Sequence, residues 1–143
     1  MREFEKKGWY RITIPDGWEV DGDEEPVSIY RTEGAGALQV TAQDPRPLKP
    51  GERIDVTLML RAFLRGTGVD LADTESRRWA EGGLEWAACE YAGDSPEEGT
   101  LVWRLWMATN HDLLVFLTYA CREEEKALER ETVDGMVATL RLT

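Results

Sequence analysis

The chain has 143 residues, of which 42% are hydrophobic and six are Trp, and it carries a formal net charge of -11. A domain of this size buries roughly 70% of the surface its unfolded chain exposes, so it needs neither disulfide nor metal to hold a core, and its apolar content excludes a disordered chain. The acidity argues against nucleic acid, whose phosphates require a clustered Lys/Arg footprint, and against an anionic membrane surface.

The first seven residues, Met1 to Lys7, are charged and lead into no apolar stretch, so no signal peptide is read there. The longest apolar run, Leu113 to Leu117, is far shorter than the ~20 residues that span a bilayer. The expected compartment is cytoplasmic, where Cys89 and Cys121 stay thiols and act as small buried hydrophobes.

Trp9 to Ile14 alternates and is rich in strand formers, which predicts a strand. Pro15-Asp16-Gly17 is a turn signal, and Trp18-Glu19-Val20 restarts an extended segment. Val27 to Arg31 and Leu38 to Ala42 predict two more strands, with Gly34-Ala35-Gly36 as a hairpin connection. Pro45, Pro47, Pro50 and Gly51 form a connector that cannot sit inside a sheet. Val56, Met59, Leu60, Phe63 and Leu64 then share one helix face, and Gly66 and Gly68 end the helix.

The second half repeats this rhythm. Thr74 to Trp79, Leu84 to Tyr91, Leu101 to Ala108 and Leu113 to Ala120 predict four strands. A helix is predicted from about Glu123 to Leu140, with Leu128, Thr132, Val133, Met136, Val137 and Leu140 on one face. Three Glu near its start complement the helix dipole. Gly135 inside it costs roughly 1 kcal/mol against Ala, which close packing on the sheet would explain.

Strand parity indicates the layering. Leu101, Trp103, Leu105 and Met107 form one apolar face. Val102, Arg104, Trp106 and Ala108 form the other, which is apolar except for one Arg. Strands covered on both faces read this way. The expected fold is therefore α+β: a single antiparallel sheet covered by helices on both faces, an α/β/α sandwich ordered β-β-β-β-α-β-β-β-β-α. Residues 1-143 form one domain in this reading.

An aromatic strand leading to Ile14-Pro15-Asp16-Gly17-Trp18, followed by short strands, one helix, a four-strand meander and a C-terminal amphipathic helix, resembles the Mog1/PsbP-like fold, including the DcrB and DUF1795-type bacterial proteins. The resemblance implies action by binding. Mog1-like proteins bind a small GTPase, PsbP-like proteins sit on photosystem II, and some DUF1795 proteins are chaperones for type VI effectors.

No catalytic set stands out. His111 lies in a predicted hairpin turn and reads as a solvated turn residue. The serines lie in no G-x-S-x-G elbow. The cysteines lack metal-ligand spacing, and no cofactor or metal is expected. Asp16, Glu19, Asp21, Asp23, Glu24 and Glu25 put six carboxylates into ten residues without the ladder of a calcium loop, so they read as a solvated acidic turn. Arg104 is the one charge on an otherwise apolar strand face. Glu90 on the neighbouring strand is its expected counter-charge, and stacking on Trp106 is the alternative. Its functional reading is an open binding face formed by Trp86, Arg104 and Trp106, since Trp and Arg are favoured interface anchors. Asp21, Asp23, Glu24 and Glu25 are the second candidate surface, facing a basic partner.

The expected function is a cytoplasmic, non-catalytic domain that binds a protein partner, as a monomer or a homodimer. The rival readings are an immunity or chaperone protein for a secreted effector, and a small-ligand protein or enzyme with a Trp-lined pocket.

Overall fold

The computed structural model describes residues 1–44, 51–68 and 75–143. The connector prolines Pro45, Pro47 and Pro50, and the proposed strand start at Thr74, lie outside the described residues. Among the described residues, ten strands and two α-helices run in the order β1 (Arg2–Lys6), β2 (Tyr10–Ile14), β3 (Glu19–Asp21), β4 (Val27–Tyr30), β5 (Ala37–Gln43), α1 (Val56–Gly66), β6 (Glu75–Glu81), β7 (Leu84–Ser95), β8 (Gly99–Thr109), β9 (Leu114–Arg122), α2 (Arg130–Ala138) and β10 (Arg141–Leu142). The ladders are antiparallel.

The strands form two sheets, which corrects the single-sheet expectation. Seven strands are ordered β3-β4-β5-β9-β8-β7-β6, and three form a separate sheet, β1-β2-β10. The physical reason lies in β2. Tyr10, Ile12 and Ile14 are buried, while Arg11 is exposed and Thr13 half-buried. Such a strand has one dry face, unlike β8 or β9, and it suits a small sheet laid over a larger one. Its edges are taken by the charged N-terminal β1 and by the C-terminal tail, where the Thr143 N–H donates to the Trp9 carbonyl (3.1 Å). Periodicity alone could not place those partners, because β1 buries little beyond Phe4, which packs on Tyr10 at 6.3 Å between ring centroids.

The double burial of the central strands is present. On one face of the large sheet, Ala87, Cys89, Leu105, Met107 and Leu114 pack under Val56, Leu60 and Leu64 of α1. On the other, Trp86, Ala88, Trp106, Ala108, Val115 and Leu117 share one apolar cluster with β2 and with Val133, Met136 and Val137 of α2. The small sheet and α2 thus cover that face together.

The helix starts are set by local chemistry. Asp55 caps α1, its carboxylate accepting from the Thr57 and Leu58 N–H groups at 3.0 and 3.2 Å. Met59 and Phe63 flank the buried stripe instead of joining it. The second helix begins at Arg130, later than its periodicity predicts. Glu123–Glu125 form a 3-10 turn, and Leu128 is 67% exposed ahead of the helix. The three Glu therefore do not serve the α2 dipole, and Glu131 is the acid in its first turn. Gly135 is exposed, and an added Cβ there would meet nothing within 4 Å, so close packing is not what keeps it.

Candidate functional site

Arg104 and Glu90 are directly paired across β8 and β7, so their side chains leave the same face of the sheet. The α2 helix crosses that face and adds Arg130 and Asp134, one turn apart. Arg104 is 6% exposed. Its Nη2 donates to Asp134, its Nε lies 3.4 Å from Glu90 Oε1, and its guanidinium sits 4.6 Å from the centroid of the Trp106 ring. Arg130 Nη1 approaches the same Glu90 oxygen at 2.8 Å. Arg104 Nη1 has no hydrogen-bond acceptor among the described residues. The expected Glu90 partner and the Trp106 stacking both exist. Asp134 was missed, although the i, i+4 spacing of Arg130 and Asp134 marks them as neighbours on one helix face.

These residues line a cavity of about 510 Å³, together with Ser76 and Arg77 of the edge strand β6. A smaller cavity of about 320 Å³ adjoins it and shares Arg77, Trp106 and Asp134; Trp79 and Trp86 line it as well. The Trp79 and Trp86 rings stack at 5.5 Å with 3° between planes, and the Arg77 guanidinium lies 4.7 Å over Trp79. Arg77 pairs with no carboxylate among the described residues. The open binding face foreseen for Trp86, Arg104 and Trp106 is therefore corrected to a cleft. Trp86 and Trp106 are 4% and 2% exposed, because α2 lies across them.

A second ionic group lies beside α2. Glu129, directly ahead of the helix, is 1% exposed. Arg31 Nε donates to its Oε2 at 2.6 Å; the Tyr119 hydroxyl and the Ala35 and Gly36 N–H groups donate to Oε1 at 2.7, 3.2 and 3.1 Å. Burial alone would raise this carboxyl's pKa, but the Tyr119, Arg31 and Gly36 donors outweigh it and hold the group below the ordinary carboxylate range. Burial, then the bond to Glu129, pushes the Tyr119 phenol up. Gly34-Ala35-Gly36 is thus a carboxylate cradle as well as a turn. A Cβ at Gly34 would lie 2.7 Å from Glu129 Oε2, and one at Gly36 would collide with the Ala120 carbonyl. Trp18, buried after the Pro15-Asp16-Gly17 turn, supports Arg31 from 5.8 Å. Nothing in the helical pattern singles out Glu129; its donors come from 10 to 98 residues away in sequence.

The acidic turn stands apart from the cleft. Asp21, Asp23, Glu24 and Glu25 are exposed and line neither of the two cavities beside Arg104, and Glu25 pairs with Lys6 at 3.0 Å. His111 is more engaged than a solvated turn residue. Its Nδ1 accepts from the Ile54 N–H at 3.1 Å, and its Nε2 lies 3.1 Å from Glu85. It therefore ties the β8–β9 turn to the segment entering α1. Asn110 closes that turn by accepting from the Asp112 and Leu113 N–H groups. Cys89 and Cys121 are buried, free, and belong to clusters on opposite faces of the sheet, and burial pushes the Cys89 thiol up to about 11. Among the described residues, no three His, Cys, Asp or Glu side chains gather as a metal site, and no helix is long and apolar enough to cross a membrane.

No family model matches the sequence, and no curated protein matches it. Solved structures match the fold. A crystal structure from Bacteroides thetaiotaomicron VPI-5482 is similar over 99% of this chain, with a TM-score of 0.67 and 15% identity; this chain spans 48% of that one, about half its length. The solution structure of cyanobacterial PsbP (CyanoP) from Synechocystis sp. PCC 6803 is similar over 99% of this chain and 92% of its own, with a TM-score of 0.62 and 15% identity. The crystal structure of LpqN of Mycobacterium tuberculosis, involved in cell envelope biogenesis, is similar over 94% of this chain and 83% of its own, with a TM-score of 0.63 and 10% identity. At these identities the likeness establishes a PsbP-like fold and no activity.

Proposed function

We propose that the protein is a non-catalytic binding domain, and that the cleft between α2 and strands β6 to β8 is its ligand seat. One observation carries the reading: a buried arginine lines an open cavity while one of its guanidinium nitrogens, itself buried, has no acceptor among the described residues. A buried donor left unpaired costs about 1–3 kcal/mol, so a cleft that keeps one gains from an incoming acceptor. The reading shifts weight from a flat sheet surface to a pocket, because the two Trp that would anchor a flat contact are covered. Binding without catalysis fits the side chains that gather here. The cleft brings arginines and paired carboxylates together; Ser76 and Cys89 also line it, but among the described residues neither is hydrogen-bonded to a base, and burial pushes the Cys89 thiol up. The compartment we assign is cytoplasmic, in keeping with two free thiols. The Ile14-Pro15-Asp16-Gly17-Trp18 strand end and the element order support a place in the Mog1/PsbP-like group, which includes the DcrB and DUF1795-type proteins.

The test is a thermal-shift screen with a metabolite library. A true ligand at a hundredfold excess over its Kd raises the melting temperature by roughly 5–10 °C in the native protein. The Arg104→Met variant, which keeps side-chain length and loses the donors, shows no such shift. A library without hits, or hits that Arg104→Met retains, sinks the reading.

A second reading, a protein partner held at the acidic turn, is favoured by the exposure of Asp21, Asp23 and Glu24. It covers the immunity or chaperone role. A basic effector encoded beside this gene, whose capture weakens steeply with salt and is lost on neutralising those three residues, would support it.

A further inference from the structure

Resting on the cleft as ligand seat, we infer that its ligand is a monocarboxylate with a flat apolar body. Three arginines, Arg77, Arg104 and Arg130, line the larger cavity against two carboxylates, Glu90 and Asp134, which leaves one positive charge uncompensated. That charge is on Arg77, which is exposed and pairs with no described carboxylate. The other two arginines are engaged with Glu90 and Asp134, apart from the buried Nη1 of Arg104, which has no acceptor among the described residues. A single negative charge balances the site. A phosphate dianion exceeds that balance and meets the repulsion of Glu90 and Asp134. A planar carboxylate also matches the fork of a guanidinium with two parallel hydrogen bonds.

The body of the ligand is read from the adjoining cavity. Arg77 and Trp106 line both cavities, so an acid held at Arg77 has its remaining atoms beside the stacked Trp79–Trp86 pair and Trp106. Trp79 is the half-buried member of that pair, and with Leu84 and Val137 it gives the cavity an apolar wall that suits a flat apolar group. The surrounding protein carries -11 and repels anions at long range, so the seat selects by contact and not by steering.

The experiment titrates the whole protein with 2-naphthoate, 2-naphthalenemethanol and inorganic phosphate, followed by calorimetry and Trp fluorescence. The expected result is saturable binding of 2-naphthoate, with the neutral alcohol at least tenfold weaker. Arg77→Gln, on an exposed edge position that leaves the core intact, weakens the acid about tenfold and the alcohol less than twofold. Equal affinity for acid and alcohol, displacement of the acid by an equal concentration of phosphate, or an unchanged affinity in Arg77→Gln would each overturn the carboxylate assignment. Binding of the alcohol alone overturns it while leaving the cleft as a ligand seat. Binding of neither probe removes this ligand class, and the library screen with Arg104→Met then judges the seat independently.

Discussion

Glu129 and Arg104 are both withdrawn from water beside α2, 1% and 6% exposed, but their surroundings differ. Glu129 receives four hydrogen bonds, two of them from backbone N–H groups of a glycine cradle. Arg104 has one direct hydrogen bond to a carboxylate that is 46% exposed, a longer approach to Glu90, and one buried nitrogen without an acceptor among the described residues. A saturated buried charge locks a fold together, whereas an undersupplied one beside a cavity is poised for a further partner. The contrast separates a structural node from a candidate site even though both are single ions inside the same α2-facing layer.

The strongest way to break that contrast is at Glu129. Replacing it with Ala strands Arg31, the Tyr119 hydroxyl and two N–H groups, and urea unfolding is expected to show a loss of roughly 3–5 kcal/mol. Acid sharpens the same point. The folded pKa of Glu129 is depressed, so its contribution is complete above the unfolded carboxylate value of about 4.3 and is lost as pH falls through the lower folded value. Glu129→Gln should flatten this part of the acid limb in pH-dependent unfolding. A limb as steep as that of the native protein would remove the assignment.

Arg104→Met comes next. Glu90 keeps Arg130, and Asp134 turns to solvent, so the expected loss is smaller, roughly 1–3 kcal/mol by the same measurement. A cost equal to that of Glu129→Ala would mean that Arg104 is a structural node after all. Asp134→Asn should cost no more than about 1 kcal/mol, because that carboxylate is half exposed. It should also tighten binding of an acid, since it removes one competing negative charge. The smallest effect is a gain: Gly135→Ala has open space and a helical position, and is expected to raise stability by about 0.5–1 kcal/mol in the same unfolding experiment.

Much of the fold was legible from local period. Strand parity in β8 and β9 predicted a sheet buried on both faces, and the clusters under α1 and α2 are those two faces. Arg104 stood out because it broke an apolar alternation. Asp134, Arg77 and Glu129 did not stand out, because each is an ordinary charge on its own element and acquires meaning only from its neighbours. Helix starts were less legible: the Glu123–Glu125 run imitates a helix N-terminus, yet the chain makes a 3-10 turn there and the helix waits until Glu129 is held in its cradle.

Sequence by itself determined the longer strands, the first helix and which faces must be dry, but not β1, β10 or the start of α2, because period 2 and period 3.6 are properties of neighbouring residues. Tertiary structure alone decided that β2 leaves the main sheet to pair with both chain ends, that Glu129 meets an arginine 98 residues away, and that α2 closes a flat aromatic face into an arginine-lined cleft. Those outcomes depend on which distant segments share a layer, and burial and charge pairing between such segments leave no mark on the local pattern of either one.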